Sequence, residues 1–148
     1  MRSFVGAALG LLLLVQTGQL AVASCSDDDP DGSKVATARA AADEQCTADG
    51  RGCGNAPNHG AYVSCVAQVA NQLASGDTPS LPRTCKGPVK RCAARSTCGK
   101  PGFVTCYRTS AEGVTKCRIK ADAALCTAPD GGTVCVGTNG SCCDACAP

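Results

Sequence analysis

The chain has no tryptophan, and its 148 residues include only two phenylalanines, two tyrosines, one methionine and one histidine. Aromatic side chains bury the most area per residue, so a chain that is 3% aromatic has a thin apolar core. The same scarcity argues against a stacking platform for single-stranded nucleic acid and against a stacked-sugar site. The lone histidine, His59, stands between Asn58 and Gly60. No nucleophile and orienting acid accompany it, so no catalytic constellation is visible. There is also no run of about 20 apolar residues, the length a membrane-spanning helix needs. The longest, Phe4 to Val15, has twelve residues.

That short run is preceded by Arg2 and followed by Ala21-Val22-Ala23, a small-x-small pattern. Together they predict an export signal over residues 1–24. Val22-Ala23-Ser24-Cys25 looks like a lipobox, the bacterial motif of an aliphatic residue, two small residues and a cysteine. The resemblance implies that Cys25 is diacylated and anchors the protein to an envelope membrane. Several acyl chains at about 0.8 kcal/mol per buried methylene hold stably. Residues 26–34, acidic and rich in helix breakers, read as a disordered tether. The Ala-rich residues 35–45 are helix-prone and read as a marginal helix leading into the domain. The whole of 25–45 is taken as a flexible acidic and Ala-rich tether. The cysteine-rich domain is expected from 46 to 148.

What the sequence does have is cysteine. All 14 lie beyond residue 24, about 11% of that part and above the level of a disulfide scaffold. In an exported chain these are disulfide partners before they are metal ligands. Cys46, Cys53, Cys65, Cys85, Cys92, Cys98 and Cys106 are assigned to staples. So are Cys117, Cys126, Cys135, Cys142, Cys143 and Cys146. With Cys25 set aside for lipid, thirteen remain and one has no partner. With ordinary cleavage after Ala23 and Cys25 as a disulfide partner, fourteen remain and seven pairs can form. Connectivity stays open. Cys143 and Cys146 have redox-motif spacing, but no thioredoxin-like frame surrounds them, so they too are read as structural. Asp27, Asp29, Asp31 and Gly32 match the start of a calcium loop, but its twelfth position is Ala38 where a glutamate is needed. Neither metal nor cofactor is expected.

The formal net charge of +2 hides an asymmetry. Residues 25–80 carry eight acids and three bases, residues 81–120 ten bases and one acid, and residues 121–148 three acids and no base. Within this frame Tyr62, Val66, Val69 and Leu73 form one helical stripe, predicting a main helix over about 61–75. Residues 103–108 and 114–120 flank a loop of hairpin length, and 132–137 supplies a third strand. The fold class is therefore small, disulfide-rich α+β, with an antiparallel sheet within 102–137 and long stapled loops. Alternation puts Val114, Lys116, Arg118 and Lys120 on one face of their strand, with Thr115, Cys117 and Ile119 on the other.

The segments "NHGAYVSCVAQ", "RCAARSTCGKPGFVTCYRT", "TKCRIKADAALCTAP" and "GGTVCVGTNGSCCDAC" span about 58–146. They resemble a recurring group of small, exported, cysteine-rich bacterial proteins. The resemblance implies export, disulfides and a compact domain, and no catalytic residue. It also implies a second cysteine in many members where this chain has Tyr107, which would account for an odd count.

The expected function is a non-enzymatic, envelope-anchored or secreted interaction module. Its partner is an anionic envelope polymer or protein, not nucleic acid. The basic face is assigned to Lys90, Arg91, Arg95, Lys116, Arg118 and Lys120. The alternative is a secreted effector or protease-inhibitor-like protein, with residues 85–92 as a rigid bait loop.

Overall fold

In the computed structural model, residues 24–137 and 140–146 are described. Apart from Ser24, the expected signal peptide lies outside them. Among these residues four helices come first and three strands follow. The helices are α1 (Cys25–Asp28), α2 (Ser33–Ala48), α3 (His59–Leu73) and α4 (Lys86–Ala94), with a 3-10 turn at Arg83–Cys85 entering α4. The strands are β1 (Val104–Thr109), β2 (Thr115–Lys120) and β3 (Thr133–Gly137), with a second 3-10 turn at Ala123–Leu125. They form one antiparallel sheet in the order β2-β1-β3. This is the small, disulfide-rich α+β fold expected.

Helix α3 is the centre of the helical layer. The Asn58 side chain caps it by accepting from the Ala61 N–H at 2.9 Å. It buries Cys65, Val66, Val69 and Ala70, with Tyr62 and Leu73 half-buried beside them. Helix α2 packs on it through Ala38, Ala42 and Cys46, a stripe at i, i+4, i+8. Leu81, Val89 and Ala93 complete the core. Leu81 and Val89 are the largest side chains fully enclosed, so the core is as thin as the composition implied. Gly99 passes so close to the start of α3 that a Cβ there would sit 2.5 Å from the Asn58 carbonyl carbon. Its φ of +68° also favours glycine.

Seven disulfides compensate for the thin core. They join Cys25–Cys85, Cys46–Cys65, Cys53–Cys98, Cys92–Cys143, Cys106–Cys126, Cys117–Cys142 and Cys135–Cys146. No cysteine is free. Each staple is worth about 2–4 kcal/mol, chiefly by restricting the unfolded chain.

Several expectations are corrected here. Cys25 belongs to the staple set, because its sulfur is bonded to Cys85. No thiol is left over, and Tyr107 does not mark a lost partner. Residues 25–45 are not a flexible tether: 25–28 and 33–45 are helical, as the Ala-rich stretch suggested, and α2 contributes Ala38 and Ala42 to the core. The folded unit therefore begins at α1, not near Cys46. The acidic run that suggested flexibility is a set of caps. Asp29, 5% exposed, accepts from the N–H groups of Lys34 and Val35 at 3.0 and 2.9 Å, satisfying the open start of α2. Asp27 accepts from Ser24 N–H and Asp31 from Ser33 N–H, and these bonds hold both carboxyls below their usual pKa. Residues 85–92 are mostly α4 with Val89 enclosed, so they do not offer an extended bait loop.

The helices pack on one another and the strands on one another, and residues 140–146 join the two layers. Cys143 is bonded to α4 through Cys92, and its neighbour Cys142 to β2 through Cys117. Cys146 reaches β3 through Cys135. Asp144 pairs with Arg39 of α2 at 2.8 Å. The Ser141 hydroxyl donates to the Cys92 carbonyl, and the chain pairs with Ser96 in an isolated antiparallel bridge. The two cysteines of the C-x-x-C spacing thus have separate structural partners.

A candidate anion-binding groove on the sheet

The β1–β2 hairpin register decides which side chains share a face. Arg108 lies opposite Lys116, Cys106 opposite Arg118, and Val104 opposite Lys120. With a side-chain period of two, Arg108, Lys116, Arg118 and Lys120 project from one face. Tyr107, Cys117 and Ile119 project from the other, where Tyr107 meets residues 141–144. The four cations line a groove of about 630 Å3. Ser110, Glu112 and Val114 close it at the hairpin end, and Pro129 forms part of its wall. The Cys106–Cys126 disulfide holds the segment carrying Pro129 against this face.

Among the described residues the four groove cations make no ion pair, and Glu112 is the one acid in the lining. The ion pairs there are Arg39–Asp144 and Arg51–Asp49, neither of which involves a groove residue. The Nε of Arg108 is buried and has no hydrogen-bond partner among the described residues. Like charges directly opposite on neighbouring strands destabilise a sheet, and Arg108 and Lys116 are such a pair. The Ser110 hydroxyl bonds Glu112 and lowers its carboxyl pKa, so the hairpin end of the groove is anionic and the remainder cationic.

The structure brings together three of the six basic residues picked from sequence: Lys116, Arg118 and Lys120. Arg95 stands nearby at the end of α4, donating to the Cys117 carbonyl at 3.1 Å on the outer edge of β2. It borders a second recess of about 560 Å3 that Lys116 and Arg118 also line. Lys90 and Arg91 lie on α4 and line neither hollow, and Lys90 donates to Asn71 at 2.9 Å. Arg108 is the residue missed. The parity of β1 and the hairpin register were the signals that pair it with Lys116.

Two other clusters have structural explanations. Cys25, Asp29 and Cys85 lie close enough to hold an ion, but the two sulfurs are bonded to each other, leaving one carboxylate that caps α2. The ring nitrogens of His59 lie 2.9 Å from the Cys98 carbonyl and 3.3 Å from the Ala94 carbonyl, tying the start of α3 to the end of α4. A hollow of about 350 Å3 between the helices and residues 140–144 is spanned by the Arg39–Asp144 pair. Among the described residues, no helix is long and apolar enough to cross a membrane.

Compared with protein-family models, curated proteins and solved structures, the chain finds no match.

Proposed function

We propose that this protein is an exported, non-enzymatic interaction module that binds an anionic partner in the groove formed by Arg108, Lys116, Arg118 and Lys120. The observation that carries the reading is the facing pair Arg108 and Lys116, in a groove with no compensating ion pair among the described residues. The fold has no use for two adjacent like charges, and an anionic ligand does. Seven disulfides point to an oxidising compartment, extracellular or periplasmic.

Membrane anchoring through Cys25 would use the sulfur that bonds Cys85. A lipid-bearing form would leave the Cys85 thiol free and lose the link from α1 to the entry of α4. The disulfide-bonded form is the one this reading adopts.

The test is titration of the oxidised protein with polyphosphate and dextran sulfate across a salt series. Binding through several cations weakens steeply as salt rises, because screening shortens from about 10 Å at 0.1 M to about 3 Å at 1 M. Replacing Arg108, Arg118 and Lys120 together with glutamine is expected to abolish it. Binding that ignores both salt and these substitutions contradicts the proposal.

A further inference from the structure

Resting on the groove reading, we infer that the partner is an extended acidic protein segment with a carboxylate at every second residue. Lys116, Arg118 and Lys120 follow one another at alternate positions of β2, so their backbone attachment points repeat at about 6.6–6.8 Å. An extended polypeptide has the same rise, and its alternate side chains share one face. Aspartate or glutamate at i, i+2 and i+4 therefore stays in step with the three cations along their whole length. Arg108 doubles the charge at the Lys116 end, and Glu112 beyond it repels a further carboxylate. The groove thus has a register and a direction.

Other anions fit less well. Single-stranded nucleic acid has a comparable phosphate repeat, but its binders add base stacking on aromatic side chains to the charge contacts, and no aromatic side chain lines the groove. Tyr107 is on the opposite sheet face and Tyr62 is on α3. The same lack disfavours a stacked sugar. Addition of a strand to the outer edge of β2 is obstructed, because Arg95 already occupies the Cys117 carbonyl there. The segment is expected to lie across the face, above the cations.

The experiment uses two labelled peptides of equal composition and charge, read by fluorescence anisotropy with the full oxidised protein. One alternates glutamate and serine. The other repeats Glu-Glu-Ser-Ser, which when extended puts an anion on a given face only at every fourth residue. That peptide reaches Lys116 and Lys120 but misses Arg118. The alternating peptide is expected to bind about three- to tenfold tighter, the size of one or two exposed ion pairs. In Arg118→Gln the preference should vanish, since the residue that distinguishes the peptides is gone. A melting temperature and circular dichroism spectrum matching the unsubstituted protein show that this variant folds. Equal binding of both peptides, or a preference that persists in Arg118→Gln, overturns the register and leaves the general anion reading intact. Dextran sulfate binding with no peptide binding overturns the protein partner. Failure of peptides, polyphosphate and dextran sulfate alike overturns both readings.

Discussion

The Tyr107 hydroxyl on β1 donates to the Asp144 carbonyl oxygen at 2.8 Å, sharing its single proton with the Ser141 carbonyl at 3.0 Å. The central strand is thereby tied to the segment that joins both layers. Tyr107→Phe keeps the ring and leaves both carbonyls without this donor. The expected loss is about 1–2 kcal/mol, read as a lower urea midpoint with unchanged slope.

The same residue carries a pH prediction. Burial raises the pKa of Tyr107 and of Tyr62 above 10.0, the value of an unperturbed tyrosine. The folded state therefore resists ionisation more than the unfolded state. Its advantage is complete below pH 10 and is lost as pH rises past the unfolded value and through the folded ones. Stability should fall on the alkaline side, and Tyr107→Phe should flatten the decline in a pH series of melts.

Asp29 gives a second stability test. Asp29→Ala removes the acceptor for the Lys34 and Val35 N–H groups. A lost cap of this kind costs about 0.5–2 kcal/mol. The melting temperature should drop, and hydrogen exchange should quicken first in residues 33–36. If exchange there is unchanged, the capping role is wrong.

At the groove, stability and binding should move in opposite directions. Lys116→Thr relieves the repulsion with Arg108 and adds a good strand former, so the fold should gain about 0.2–1 kcal/mol. Polyanion affinity should fall at the same time. A variant that loses stability as well would mean that Lys116 supports the sheet.

Cys25 is tested by mass. The protein from its native host, unreduced, should carry no lipid and weigh about 14 Da less than the fully reduced chain, two hydrogens per disulfide. Cys25→Ser should leave Cys85 open to alkylation. The link encloses a sequence separation of 60 residues, so its loss should cost about 4 kcal/mol by loop entropy. A diacylated Cys25 would reverse the assignment.

The legible parts of the sequence were those with strong contrast. The apolar stripe of α3 and the alternation of β2 predicted a helix and a face that the structure contains. Helix α2 was legible as a helix-prone stretch but not as part of the core, because its core stripe is Ala38, Ala42 and Cys46, small side chains that differ little in hydropathy from their neighbours. The acidic run before it looked like solvated spacer because a cap depends on where a carboxylate points, which composition does not report. Cys25 was set aside on a local motif, while its partner lies 60 residues away. Arg108 was hidden by the same kind of distance. Its charge was plain, but its place beside Lys116 comes from strand pairing.

The neighbouring Cys142 and Cys143, bonded to different layers, impose an order on disulfide formation along the chain. Cys25–Cys85, Cys46–Cys65, Cys53–Cys98 and Cys106–Cys126 have both partners before residue 130 and can close without the segment 140–146. Cys92, Cys117 and Cys135 must wait as thiols for that segment. Until those links form, the basic strand is not fastened to the helices. The hairpin with its four cations can already be held by Cys106–Cys126, so what the terminal cysteines add is its attachment to the helices.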